Sequence, residues 1–191
     1  MKNYFIKNIS EHKKVISKLN NQSINIELIS KLIFKKLRTG GKILICGNGG
    51  SAADAQHLAA EFLIRLRPNI NRKPIPAISL NTDTSTLTAC GNDYKFEDIF
   101  LRPFQALSKK EDILIVFSTS GNSKNILKVL KEARKSKIST VGFLGKKGGK
   151  AKKLCDQKII VESNNVARIQ EAHIFLGHVI FSIVEDLILK N

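Results

Sequence analysis

The sequence predicts an α/β protein, a three-layer α-β-α sandwich around a five-stranded parallel sheet, with extra N-terminal helices and a long C-terminal helix. Three observations predict it. Five short apolar runs alternate with helical patterns, and such alternation gives parallel strands covered on both faces. Two of the strand-to-helix joins are rich in glycine or hydroxyl residues. Helical periodicity occupies both ends of the chain.

Residues 3–20 and 23–38 read as two amphipathic helices. In the second, Ile26, Ile29, Ile33 and Leu37 recur at helical spacing, and Gly40-Gly41 stops it. The strands are expected at 43–46, 75–79, 113–117, 140–144 and 158–161. The helices between them are expected at 51–65, 96–106, 122–136 and 149–154, and a last one at 166–189. In that last helix Ile169, Ala172, Leu176, Ile180, Ile183 and Leu187 form one stripe. Gln170, Ile174, His178 and Phe181 form a second surface. A helix apolar on more than one side is buried on more than one side, which in a chain this size suggests another subunit. No repeat or linker interrupts the pattern, so 1–191 reads as a single domain.

Composition bounds the function. The net charge is +16, carried by 32 basic against 16 acidic residues. Twenty-five of the basic residues are Lys, and they are spread along the chain. Nucleic-acid readers cluster their charge and favour Arg at forked contacts, so solvated lysine is the first reading and a nucleic-acid partner is not expected. A field that steers a phosphorylated substrate is a further reading. Cys46, Cys90 and Cys155 are odd in number and far apart, with no Cys-x-x-Cys pair. That pattern fits a reducing compartment and neither a disulfide framework nor a thiolate metal site. The first 18 residues lack the apolar core of a signal peptide, and no stretch is expected to reach membrane-spanning length. The cytoplasm is the expected location, with no membrane partner.

The chemistry concentrates at the two joins. Gly47-Asn48-Gly49-Gly50-Ser51 follows a buried strand and opens a helix. A glycine turn there sets bare N–H groups beside a helix N-terminus, which suits an anion. The loop also fits a dinucleotide fingerprint, but that needs an acid about 20 positions on. Arg65, Arg67 and Pro68 stand there, and Asp83 comes too late. No Walker A loop is present. Ser118-Thr119-Ser120-Gly121-Asn122-Ser123 repeats the architecture with hydroxyls, more than helix capping needs. On the first helix after a loop, Ala55, Leu58, Ala59 and Phe62 make the apolar stripe, while Asp54, His57 and Glu61 make another. His57 and Glu61 are four apart and share a face. They form either a surface pair or a metal-capable, proton-transferring pair.

Four phrases in register, CGNGGSAADAQHLAAEF (46–62), LNTDTSTLTACGNDYKFEDIF (80–100), STSGNS (118–123) and ARIQEAHIFLGH (167–178), resemble the phosphoheptose isomerases of the sugar isomerase (SIS) superfamily. The resemblance spans nearly the whole chain. It implies a flavodoxin-like SIS fold and a homotetramer to which helices 1–40 contribute. It implies conversion of the seven-carbon sedoheptulose 7-phosphate to D-glycero-D-manno-heptose 7-phosphate, an early step toward the ADP-heptose of lipopolysaccharide core. Carried over by position, the ligands of a zinc ion would be His57, Glu61, Gln170 and His178. Substrate contacts would be Asn48, Gly49, Gly50, Glu61, Asn92, Asp93, Ser118, Thr119, Ser120, Ser123 and Gln170. Glu61 and His178 would be the acid–base pair. The chain departs from some members at Ala167, where they carry Asp, a change that touches one sugar contact only. Gln170 and His178 lie eight apart, about 12 Å along a helix, so one ion meets both only if the helix is irregular, two subunits share the site, or one is not a ligand in every state.

The superfamily also offers non-enzymatic readings. A similar replication-initiation factor that binds DnaA shares the glycine loop, the LNTD phrase and the ARIQE segment. It lacks the Glu and His found here at 61 and 178. A phosphosugar sensor would need the anion loop alone.

Overall fold

A computed structural model describes residues 1–190. Five parallel strands, β1 (Ile43–Gly47), β2 (Ala77–Ser79), β3 (Ile113–Ser118), β4 (Ser139–Gly145) and β5 (Gln157–Val161), lie in the order β2-β1-β3-β4-β5. β1 pairs with β3 in register, Ile43 beside Ile113 and Gly47 beside Phe117. The expected α-β-α sandwich is thus observed. β1 and β3 are buried at every position, as continuous Ile/Leu/Val runs demand of strands covered on both faces.

The strand pleat divides the core in two. Ile43, Ile45, Ile113, Ile115, Phe117, Val141 and Phe143 point to one face. There α2 (Ser23–Arg38), α3 (Gly50–Leu63) and α7 (Val166–Leu189) cover them. Leu44, Cys46, Leu114, Val116 and Leu144 point to the other, under α4 (Thr84–Asp93), α5 (Leu101–Leu107) and α6 (Lys124–Lys135). α1 (Lys2–Lys18) precedes α2 and has no buried residue.

Several expectations need correction. β2 is three residues long, not five. Pro74 and Pro76 lack the N–H a longer strand would donate, and β2 is an edge strand, where short strands and prolines belong. Helix α4 was not expected, because TSTLTACGND carries no apolar stripe. Its signal was the N-cap: Asp83 accepts from Ser85 N (3.0 Å) and Thr86 N (3.3 Å). The helix expected at 96–106 divides into a 3-10 turn, Phe96–Asp98, and α5. That expected at 149–154 is a 3-10 turn, Lys150–Lys153.

α7 also differs from expectation. Ile169, Ala172, Leu176 and Ile180 of the expected stripe are buried, as is Phe181 of the second surface, but Ile183 and Leu187 are only half-buried, with Val184 and Glu185 buried beside them. Glu185 is drawn inward to two arginines. By length and composition α7 could cross a membrane, with a mean hydropathy of 1.7, so the expectation that no stretch reaches that length does not hold. The physical reason for its apolar character is burial: α7 packs against α2, α3 and the sheet, and 44% of the apolar window is buried.

Candidate active site

Both special loops leave the carboxyl ends of β1 and β3, neighbours at the point where strand order reverses. Open α/β sheets bind ligands at that crevice. Gly49 caps α3 with φ +57° and ψ −123°, a conformation open to glycine alone. Asn81, just beyond β2, steadies the loop. Its amide accepts from Gly47 N (3.2 Å) and donates to Gly47 O (2.8 Å), replacing a strand partner that the short β2 cannot supply. Asn48 and Asn125 exchange reciprocal amide hydrogen bonds of 2.9 and 2.8 Å, so the glycine loop is tied to the first turn of α6.

In the hydroxyl loop, Ser118 Oγ accepts from Gly121 N (3.1 Å) and Ser120 Oγ accepts from Asn122 N (3.1 Å). Each hydroxyl accepts and so keeps its own proton to donate. Ser123 sits at the N-cap of α6 without a side-chain cap bond. The first intrahelical bond is Leu127 N to Ser123 O, so Lys124 N and Asn125 N have no intrahelical acceptor. Hydroxyl donors, free N–H groups and a positive helix end together make an anion cradle. Thr119 lies half-buried on the same turn.

The second half of the site lies along the seam of α3 and α7. The two helices run side by side in the same direction. Gly177 permits a close approach, since a Cβ there would lie 2.6 Å from Leu58 Cδ1. One turn on, Phe62 stacks on Phe181 with ring centroids 3.8 Å apart. His57 and His178 are the sequence neighbours of Leu58 and Gly177, and their Nε2 atoms meet at 2.9 Å. Glu61 Oε1 lies 3.3 Å from His57 Nε2. Donor atoms of all three residues lie within 4.8 Å of one another.

The electrostatics favour ligation. Burial lowers the His178 pKa, His57 lowers it further, and Glu61 pulls the other way. The net shift favours the neutral imidazole, which has a lone pair to offer. Glu61 Oε2 is buried with no partner among the described residues. Such an orphaned carboxylate oxygen costs free energy unless something occupies it. Two imidazoles and a carboxylate are an N/O donor set suited to zinc. Tetrahedral Zn–N bonds of about 2.0–2.1 Å put two nitrogens roughly 3.3 Å apart, close to the spacings found. One turn earlier, burial pushes the Asp54 carboxyl up to about 6, against the pull of His57, and its Oδ2 is likewise unpartnered.

The remaining residues stand apart. The Gln170 side chain lies against Gly50, close enough that a Cβ there would fall 2.4 Å from Nε2. Gly50 is seven residues from His57, about 10 Å along α3, so within one chain Gln170 does not join the trio. Asn92 and Asp93 end α4, exposed and bonded to each other (2.8 Å). Asn81 and Asn125 were not foreseen. The signal available was position alone, a polar residue one or two places beyond a strand or helix start.

The chain matches the model of the SIS domain family over residues 5–145. It is 47% identical to a phosphoheptose isomerase of Clostridium acetobutylicum over 97% of this chain and 95% of that protein. It is 48% identical to one from Campylobacter concisus over 95% of each. The solved phosphoheptose isomerase of Neisseria gonorrhoeae superposes with a TM-score of 0.91 at 34% identity, over 97% of this chain and 98% of that one.

Proposed function

The chain belongs to the phosphoheptose isomerase family of SIS-domain proteins, and we propose that His57, Glu61 and His178 form its reacting centre, with the loops after β1 and β3 as the sugar-phosphate cradle. It is an enzyme, an intramolecular aldose–ketose isomerase that converts sedoheptulose 7-phosphate to D-glycero-D-manno-heptose 7-phosphate.

The single observation that carries the assignment of the centre is the orphaned Glu61 Oε2 beside two imidazoles on a helix that starts at an anion loop. The reaction moves a proton from C1 to C2. A base takes the C1 proton, the C2 carbonyl oxygen gains one, and the enediol forms. Return of a proton to C2 and loss of the O1 proton give the aldehyde. Glu61 and His178 carry these protons, each having a lone pair and a partner that can share the change in charge. Ser118, Thr119, Ser120, Ser123 and the α6 N-terminus hold the phosphate. Asn48, Gly49, Gly50, Asn92, Asp93 and Gln170 orient the sugar. Binding of the remote phosphate fixes the geometry at C1 and C2. His57, Glu61, Gln170 and His178 would hold a zinc ion, which when bound supplies Lewis-acid stabilisation of the oxyanion.

We further propose a cytoplasmic homotetramer in which Gln170 completes the centre of another subunit. Two observations support it: the distance of Gln170 from the trio, and α1, which exposes Tyr4, Phe5 and Ile6 and has no fully buried residue. The direct experiment supplies purified protein with Zn2+ and sedoheptulose 7-phosphate and follows aldoheptose phosphate by NMR. No product at any metal loading sinks the reading.

A further inference from the structure

Resting on the reading of Glu61 as a catalytic carboxylate, we propose that Arg72, held in place by Glu185, is a positioning residue that fixes the last turn of α3 and thereby aims Glu61.

Glu61 lies two residues before the end of α3. The last four carbonyls of a helix have no intrahelical donor, so this turn frays unless something binds it. α3 ends without a glycine cap, its C-cap Ile64 having φ −106°. Ile64 N serves Ala60 O and Ile75 N (3.0 Å) serves Phe62 O, and Arg72 supplies the donor for Glu61 O and a second one for Phe62 O. Its Nη2 donates to Glu61 O (2.8 Å) and its Nη1 to Phe62 O (2.9 Å) and Lys73 O (3.1 Å). A cation at a helix C-terminus also meets the negative end of the dipole.

The guanidinium is itself gripped. Its Nε donates to Glu185 Oε1 (2.5 Å), while Arg67 Nε takes Glu185 Oε2 (2.6 Å). The Arg72 side chain is 3% exposed and that of Glu185 is fully buried. Glu185 lies on α7, two turns beyond His178. One planar fork therefore binds the end of the helix that carries Glu61 and is bound by the helix that carries His178. A buried ion pair is a poor means of simply holding two helices together, because apolar residues of similar volume do as well. The fork adds direction, since its donors reach the carbonyls only when the last turn of α3 stands in one orientation. Arg72 makes no bond to the Glu61 carboxylate, so its effect passes through the backbone.

The test compares Arg72→Gln with Arg67→Gln. The Arg67 side chain shares Glu185 but donates to Glu185 and Asp186, and to no α3 carbonyl among the described residues. Its loss therefore reads the cost of removing a cation from the pair. Residues that orient ligands from the outer shell typically change metal affinity or activity 10- to 100-fold. Arg72→Gln is expected to lower kcat by about 10- to 100-fold, with KM for sedoheptulose 7-phosphate within about threefold. Its Zn2+ affinity, titrated on metal-free protein, should fall by about tenfold or more. Arg67→Gln should move each quantity by less than about threefold, and Arg72→Lys should fall between. If Arg72→Gln does not fold, Arg72→Lys and Glu185→Gln carry the comparison. A folded Arg72 variant with wild-type kcat and Zn2+ affinity overturns the proposal, as does an equal loss in Arg67→Gln. Glu61→Gln is assayed alongside. Normal turnover there removes the assignment of Glu61 itself, whereas an inactive Glu61→Gln beside a normal Arg72→Lys removes the clamp alone.

Discussion

His57 Nε2 and His178 Nε2 stand 2.9 Å apart, with the rings nearly perpendicular at 85°. At that distance one nitrogen donates and the other accepts, so the two rings cannot both be protonated there without repulsion. A cation taken up between them replaces one proton with two lone-pair bonds. Removal of metal by a strong chelator is expected to abolish turnover, and added Zn2+ to restore it, while His178→Ala should lower Zn2+ affinity at least tenfold. Metal analysis of the dialysed protein alongside the assay checks this. Full turnover in metal-free protein would exclude the ion from the reaction.

Glu61→Gln preserves shape and removes the basic oxygen. It is expected to lower kcat by about 10²–10⁴-fold, the usual contribution of a positioned acid–base group. Circular dichroism and melting temperature should stay close to those of the parent protein. A variant that turns over normally would move the proton transfer elsewhere.

Gly50→Ala separates binding from folding. Gly50 is the first residue of α3, where the helix-interior advantage of alanine is small, and the group it would meet is the end of a flexible side chain, so stability should change little. The new methyl, however, would sit 2.4 Å from Gln170 Nε2. The Gln170 side chain must swing away, and KM for the sugar phosphate should rise about tenfold or more, worth about 1.4 kcal/mol. An unchanged KM would show that the Gly50–Gln170 contact has no part in substrate binding.

His173 is fully buried between Phe117 and Phe143, and its ring nitrogens have no well-aligned hydrogen-bond partner among the described residues beyond a weak approach to the Leu144 backbone. Burial pushes its pKa down to about 4, with the Leu144 backbone opposing. The unfolded chain therefore binds this proton near pH 6.5 and the folded chain only near 4, so stability falls as pH drops through that window. The loss amounts to about 3 kcal/mol across it. Urea midpoints of His173→Phe measured from pH 7 to 4.5 should fall less steeply than those of the parent. Parallel curves would remove His173 as the source.

The sheet was legible because its strands are continuous apolar runs, and both ligand loops because glycine and hydroxyl residues sit at strand ends. The stripe of Asp54, His57 and Glu61 follows from helical spacing. Other features resist such reading. α4 has no apolar stripe, and only the Asp83 cap announces it. The bonds joining Arg67 and Arg72 to Glu185 span 118 and 113 positions, and no local pattern encodes a pairing at that distance. The same holds for His178, whose partners on α3 come from sequence only through a family resemblance. Gln170 and His178 share a helix, yet two turns keep them apart, and the single chain keeps that separation.

The reciprocal amide bridge between Asn48 and Asn125 has a consequence for how a sugar enters. It joins two neighbouring loops into one stiff jaw whose ordering cost falls at folding and not at binding. On the reading of these loops as the phosphate cradle, the terminal phosphate would meet a mould already cast. Asn92 and Asp93, by contrast, end a short helix exposed, their side chains bonded to each other. On the proposed assignment of these residues, discrimination among phosphorylated sugars would fall to that exposed pair, and recognition of the anion to the bridged loop and helix start.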